Sequence, residues 1–151
     1  MKEFLQNSWT WLMKAVVAVA GGISGLFGGW NPVLTVLVIL MGMDYGTGLL
    51  VGIMNKSLKT PEGGLDSKVG AKGILKKVLI LCGVLLGVLL DQALGGGKNL
   101  FRDMVAWFYV ANEGLSVIEN LALADVVVPK KLRDFLEQTK EKADQGKEEK
   151  P

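Results

Sequence analysis

The sequence predicts an all-α membrane protein: about four hydrophobic or amphipathic helices forming two hairpins, then a short charged helix and a disordered tail. Three observations lead there. No residue from Ala15 to Met43 is charged, and from Ala15 to Asn55 Asp44 is the only group ionised at neutral pH. Half of the 151 residues are hydrophobic and mean hydropathy is +0.35. Net charge is +2, and nearly all the basic residues collect in an N-terminal tail, one middle loop and a C-terminal tail. Because about 20 apolar residues cross a hydrocarbon core of ~30 Å, the first run is long enough for two crossings joined at Asn31-Pro32. One membrane domain over 1–128 is expected, with helices at about 11–30, 32–55, 74–94 and 103–124, a basic cytoplasmic loop at 56–73 and a charged tail at 129–151.

The first segment follows a tail whose Phe4, Trp9 and Trp11 suit an interfacial aromatic belt, and Trp30 marks the opposite interface. Its apolar stretch continues well past the length of a cleaved leader. Gly21, Gly25 and Gly29 recur at four-residue spacing, a pattern that lets another helix backbone approach closely. Met13-Lys14 is a candidate internal start, although an ordinary Met-Lys pair at a helix entrance is the plainer reading.

The second segment opens on Pro32, which is tolerated in a first helical turn because its missing N–H has no partner there anyway. Gly42, Gly46 and Gly48 offer further small-residue contacts. Asp44, near the middle, is costly in lipid and therefore a functional-site candidate. The middle loop gathers Lys56, Lys59, Lys68, Lys72, Lys76 and Lys77 against Glu62 and Asp66, so it belongs in the cytoplasm. Lys68, Lys72, Lys76 and Lys77 are expected to meet anionic headgroups. Gly70-Ala71-Lys72-Gly73 lacks the spacing of a phosphate-binding loop.

The third segment has an uncharged stretch only from Val78 to Leu90, so it spans if Lys76 and Lys77 snorkel and Asp91 lies near the far interface. Gly83 and Gly87 repeat the close-packing spacing, and Gly95-Gly96-Gly97 ends the helix. The fourth segment is amphipathic. Tyr109, Asn112, Glu113, Ser116, Glu119 and Asn120 share one face, which suits a helix on the membrane surface or one that spans with its polar face toward helices or water. The basic tail, with Lys130, Lys131, Arg133, Lys140, Lys142, Lys147 and Lys150, prefers the cytoplasm. With the lysine-rich loop also inside, four crossings and cytoplasmic termini satisfy the charge rule.

Histidine is absent and Cys82 is the single cysteine, which removes His-based acid/base chemistry, intrachain disulfides and Cys/His metal clusters. Cys82, set among Leu81, Gly83 and Val84, is a packing residue. No catalytic residue, cofactor or metal is expected. The lysines lack interleaved aromatics, so nucleic-acid binding finds little support.

Met43-Asp44-Tyr45-Gly46-Thr47-Gly48, Ser67-Lys68-Val69-Gly70-Ala71-Lys72-Gly73-Ile74 with Lys76-Lys77, and Phe108-Tyr109-Val110-Ala111-Asn112-Glu113-Gly114-Leu115-Ser116 occur in that order. Glu119-Asn120 and Pro129-Lys130-Lys131-Leu132 follow. Together they resemble the phage holin family that includes the toxin-secretion holins of clostridia, over roughly Gly29 to Gln138. The resemblance implies a small phage or prophage protein, without enzymatic activity, that accumulates in the bacterial cytoplasmic membrane, forms homo-oligomers and opens lesions at a set time. An endolysin, or in some relatives a large toxin, then passes.

The family supplies no catalytic residues, so Asp44, Tyr109, Asn112, Glu113, Ser116, Glu119 and Asn120 are candidates, from the residues alone, for pore lining or for polar contacts between helices. In the dormant state Asp44 and Glu113 are expected to be protonated or paired with an Asn or a Tyr hydroxyl. A small multidrug-type transporter, which also needs a membrane acid, and a membrane scaffold subunit are the alternative functions.

Overall fold

The computed structural model describes residues 2–95, 97 and 99–145, with side chains over 10–95, 97 and 99–141. These residues form five helices and no strand. The expected side-chain positions of Phe4 and Trp9, the conformation of Gly96 and the tail from 146 onward lie outside the described residues, as do the side chains of Lys142, Lys147 and Lys150. The chain divides into two compact units, Met1–Asn31 and Pro32–Pro151.

The first unit is one helix, α1 (Lys2–Leu26). It begins about three turns before the expected start because the polar tail continues the helix. It also stops short of residue 30, since Gly28 and Gly29 take positive φ of 69° and 91° that side-chain-bearing residues rarely adopt. The Gly29 N–H donates to the Ser24 carbonyl at 2.9 Å and the Trp30 N–H to the Ser24 hydroxyl at 3.1 Å, closing the helix end. Near the entrance, the Lys14 ammonium lies 5.5 Å from the centre of the Trp11 ring.

The second unit contains α2 (Pro32–Ile53), α3 (Ser67–Ala93), α4 (Leu100–Leu123) and α5 (Lys130–Gln145). Helices α2 and α3 are the two described helices long and apolar enough to cross a membrane. They touch each other little. Helix α4 packs along both of them and along α5, so it is the centre of the unit rather than one arm of a hairpin. Leu34, Leu37, Met41 and Val51 of α2, Ile80, Val84 and Val88 of α3, and Ala106, Val110, Val117 and Ile118 of α4 form the buried apolar core. Many remaining apolar side chains of α2 and α3 are exposed, including Ile39, Leu50, Leu79 and Leu86, as suits helices facing hydrocarbon.

Helix α3 starts seven residues ahead of the expected 74, and a local device accounts for the difference. Asp66 is an N-cap in extended conformation whose Oδ1 accepts the Lys68 and Val69 N–H groups at 2.7 and 3.0 Å. These are donors that a helix start otherwise leaves unpaired. The connection from α2 is ordered by the left-handed Asn55 (φ 54°) and by Ser57 N–H donating to the Gly63 carbonyl at 2.9 Å. Lys56 reaches Asp125 in the α4–α5 connection, tying the α2–α3 and α4–α5 loops together.

At the other end of α3 the start of α4 is held by a neighbour instead of by its own cap. Asn99 makes no side-chain cap bond. Buried Asp91 accepts the Phe101 and Arg102 N–H groups, each at 3.0 Å, placing a carboxylate at the positive end of the α4 dipole. One turn earlier, Gly87 lies against the backbone: a Cβ there would come within 2.8 Å of Arg102 Cα and 2.9 Å of the Phe101 carbonyl oxygen. Between α4 and α5, Gly114 faces a side chain instead: an added Cβ would stand 3.1 Å from Leu136 Cδ1.

The glycines expected at helix contacts therefore separate. Gly83 faces the Tyr109 ring, Gly87 faces backbone, and Gly48 lies beside Asn120. Gly42 and Gly46 have nothing within 4 Å, and within its own unit neither Gly21 nor Gly25 meets another group. Gly42 and Gly46 make no close contact because their faces point away from the helices packed on α2. Gly29 serves the positive-φ turn after α1.

Gly87→Ala is expected to destabilise the protein by about 1–3 kcal/mol, because backbone cannot yield as a side chain can. Gly46→Ala is expected to stay within about 1 kcal/mol of the parent, on the stabilising side. Thermal unfolding of the two variants in detergent checks the contrast.

Candidate functional site

The polar residues of α2, α3 and α4 converge at one level of the bundle. Asp44, about midway along α2, turns toward α4. There Asn120 Nδ2 donates to its Oδ1 at 3.2 Å, to its backbone carbonyl at 3.2 Å and to the Thr47 hydroxyl oxygen at 3.0 Å. Thr47 in turn donates its hydroxyl to the Met43 carbonyl at 2.8 Å, so a single amide ties two turns of α2 to α4. Small Gly48 leaves room for that amide, 3.7 Å from where a Cβ would stand.

Lys77 of α3 completes the cluster. Its ammonium donates to Asp44 Oδ2 at 2.7 Å and to Glu113 Oε2, bridging three helices with one cation. The side chains of Lys77 and Asp44 are each 13% exposed and that of Glu113 is fully buried. The expectation that Lys77 meets lipid headgroups is corrected here: two carboxylates within the bundle hold its ammonium, which offsets the desolvation of all three charges. The expected Asn partner is present as Asn120, while the main partner of both acids is Lys77 rather than a Tyr hydroxyl. Glu113 Oε1 is the one buried side-chain oxygen without a hydrogen-bond partner among the described residues, so the cluster is not fully satisfied.

The structure splits the remaining polar arc. Tyr109 lies against Gly83 of α3 and edge-on to Phe108, with ring centres 5.1 Å apart. Asn112 is half-buried. Ser116 and exposed Glu119 line a recess of about 440 Å³ at the loop end of the bundle, with Lys59, Lys76 and Arg133. Asp44, Glu113 and Asn120 thus meet in one place, and Tyr109, Asn112, Ser116 and Glu119 do not join them. Lys68, Lys72 and Lys76 are exposed.

Asp91 and Tyr45, outside the expected set, are structural centres, and the buried place of Lys77 had a signal too. Ile80, Val84, Gly87, Val88 and Asp91 form the buried stripe of α3, and the same spacing extended one turn toward the N-terminus falls on Lys77 and not on Lys76. Asp91 lies on that stripe as well. Tyr45, in the phrase beginning at Met43, covers Gly70 and Gly73, whose added Cβ atoms would lie 3.6 and 3.7 Å from it. The phrases that carry the family resemblance therefore meet in space. No group of acidic, His or Cys side chains suited to a metal ion occurs among the described residues.

A model of the bacteriophage holin family matches residues 21–141, which include every residue of this cluster. The chain belongs to the bacteriophage holin family. This holin-family chain is 35% identical to an uncharacterized 14.9 kDa protein in the nagH 3′ region of Clostridium perfringens, over 91% of its own length and 99% of that relative. It is 37% identical to the uncharacterized protein Lmo0128 of Listeria monocytogenes, covering 83% and 84% of the two chains. With the uncharacterized protein YqxH of Bacillus subtilis it shares 32% identity over 81% of each. No solved structure matches it.

Lys77→Met leaves two buried carboxylates without their cation and is expected to cost about 3–5 kcal/mol. Replacing the whole cluster with neutral groups, Asp44→Asn, Lys77→Met and Glu113→Gln together, is expected to recover most of that loss. Melting temperatures of the single and triple variants in detergent check the sign of the difference.

Proposed function

We propose that this holin-family membrane protein assembles with copies of itself in the bacterial cytoplasmic membrane and opens a lesion at a set time. Through it passes an endolysin or a large toxin. The observation that carries this reading is the Asp44–Lys77–Glu113 cluster with Asn120, a polar centre inside helices whose outer faces suit lipid. Such a centre is compatible with a closed bundle and is better solvated by water than by hydrocarbon. The unpaired Glu113 Oε1 adds to that bias, since a buried acceptor without a partner costs about 1–3 kcal/mol. Closed, the helices hide these groups from lipid. Opened, the groups face water.

In the proposed topology α2, α3 and α4 cross the membrane and both termini are cytoplasmic. Helix α5 supports this arrangement, because its basic and acidic side chains run beside the inner half of α4, where Leu136 meets Gly114. A charged helix in that position suits the cytoplasmic interface. The outward side of α4 changes along its length, from Met104 and Trp107 to Glu119, and contact with another subunit or with water suits its polar part better than lipid does. A proton-coupled exporter fits less well, because Asp44, the acid it would use, already holds a lysine.

Controlled expression with and without a cytoplasmic endolysin tests the proposal. Abrupt lysis is expected only with both proteins, preceded by sudden loss of membrane potential. Resistance to cationic dyes without killing would instead identify an exporter. Asp44→Asn combined with Glu113→Gln is expected to shift the time of lysis at equal membrane levels, and an unchanged time would remove the cluster from the opening step.

A further inference from the structure

The weak contact between α2 and α3 leaves a groove of about 580 Å³ between them, closed at its inner end by the loop that joins the two helices. Tyr45 and Leu49 form the α2 wall, and Gly73, Leu75 and Leu79 form part of the α3 wall. Leu75 and Leu79 are 63% and 69% exposed, so this wall continues into the surface that faces hydrocarbon. Glycines 70 and 73 keep the slot open beside the Tyr45 ring.

Lys59, Lys72 and Lys76 also line this groove, all exposed. Lys72 and Lys76 are one helical turn apart, hence on the same side of α3. None of the three forms an ion pair among the described residues. The acids of the groove are otherwise engaged: Asp66 caps α3, and Asp44 holds Lys77 and Asn120. The groove thus joins an apolar slot open to lipid with three uncompensated cations at the basic, inner end of the helices.

We propose that this groove is a binding site for an anionic phospholipid, whose phosphate lies among Lys59, Lys72 and Lys76 and whose acyl chain runs along Leu49, Leu75 and Leu79. The chemistry of the occupant follows from both halves of the site. A soluble phosphate would leave the apolar wall uncovered, and a neutral lipid would leave three ammonium groups without a counter-charge. Basic pockets between membrane helices on the cytoplasmic side suit such headgroups. Binding also joins α2 to α3 where the protein itself makes little contact, so lipid completes the bundle. The site stands whether or not the assembly opens a lesion.

Native mass spectrometry of the full-length protein, released from detergent after incubation with phosphatidylglycerol, cardiolipin or phosphatidylcholine, tests the assignment. Retention of phosphatidylglycerol or cardiolipin in preference to phosphatidylcholine is expected. Affinity should fall about fivefold for each of Lys59→Gln, Lys72→Gln and Lys76→Gln, and on the order of a hundredfold for the triple variant. Lys68→Gln, outside the groove, should bind as the parent does. Gly73→Leu, which fills the slot and keeps the lysines, should also reduce retention.

Equal binding of phosphatidylcholine would overturn the proposal, as would an equal loss in Lys68→Gln or full competition by inorganic phosphate. Lysine-dependent dimers without bound lipid would assign the groove to a second copy of the chain and overturn it as well.

Discussion

A lysine shared by two carboxylates is the constraint around which the rest of this bundle is arranged. Asp44, Lys77 and Glu113 come from three different helices and meet in a space that water scarcely reaches. Apolar helix faces tolerate sliding past one another, since one leucine contact resembles the next. Three opposite charges away from water do not, because any offset leaves one of them unpaired at a cost of several kcal/mol, roughly. The cluster therefore fixes the relative height of α2, α3 and α4. It also explains the central place of α4, the helix that carries Glu113 to Lys77 of α3 and Asn120 to Asp44 of α2.

The opposite end of α4 is held by a different kind of contact. Asp91 receives two backbone N–H groups at the start of the helix, and Gly87 lets the two backbones approach one turn away. Lys77 and Asp91 lie on the same buried stripe of α3, separated by about 21 Å at the ordinary helical rise. Helix α3 thus carries the fittings for the start and the middle of its neighbour. Between those fittings α4 contributes apolar contacts through Ala106 and Val110, and beyond Glu113 it keeps Val117 and Ile118 in the core while Gly114 meets Leu136 of α5.

The all-helical class and the break at Asn31-Pro32 were legible in the sequence because length and lack of charge dominate in those segments. Asp44 and Glu113 stood out for the same reason, as acids with no cheap place in lipid. Lys77 was obscured by Lys76 and the other loop lysines, whose topological meaning is strong and applies to most of them. Its burial depends on the stripe that runs from Ile80 to Asp91, a phase that charge counting ignores. The early start of α3 was hidden by glycines and lysines over 68–73, although Asp66 followed by Ser67 is a capping signal. Which glycines touch another helix was not legible at all. Gly46 and Gly87 look alike in sequence, and only the direction of each face separates open space from a backbone contact.

The composition of α4 makes it dependent on its neighbours. Helices α2 and α3 are apolar enough to leave an insertion channel for lipid by themselves, whereas α4, with Glu113, Asn120 and Glu119, does not reach that standard. Its acid has no counter-ion in the membrane until Lys77 is already there, and its first turn has no cap until Asp91 is in position. Helix α4 thus depends on α3 at two places: the lysine that answers its buried acid and the aspartate that closes its first turn come from the same neighbouring helix.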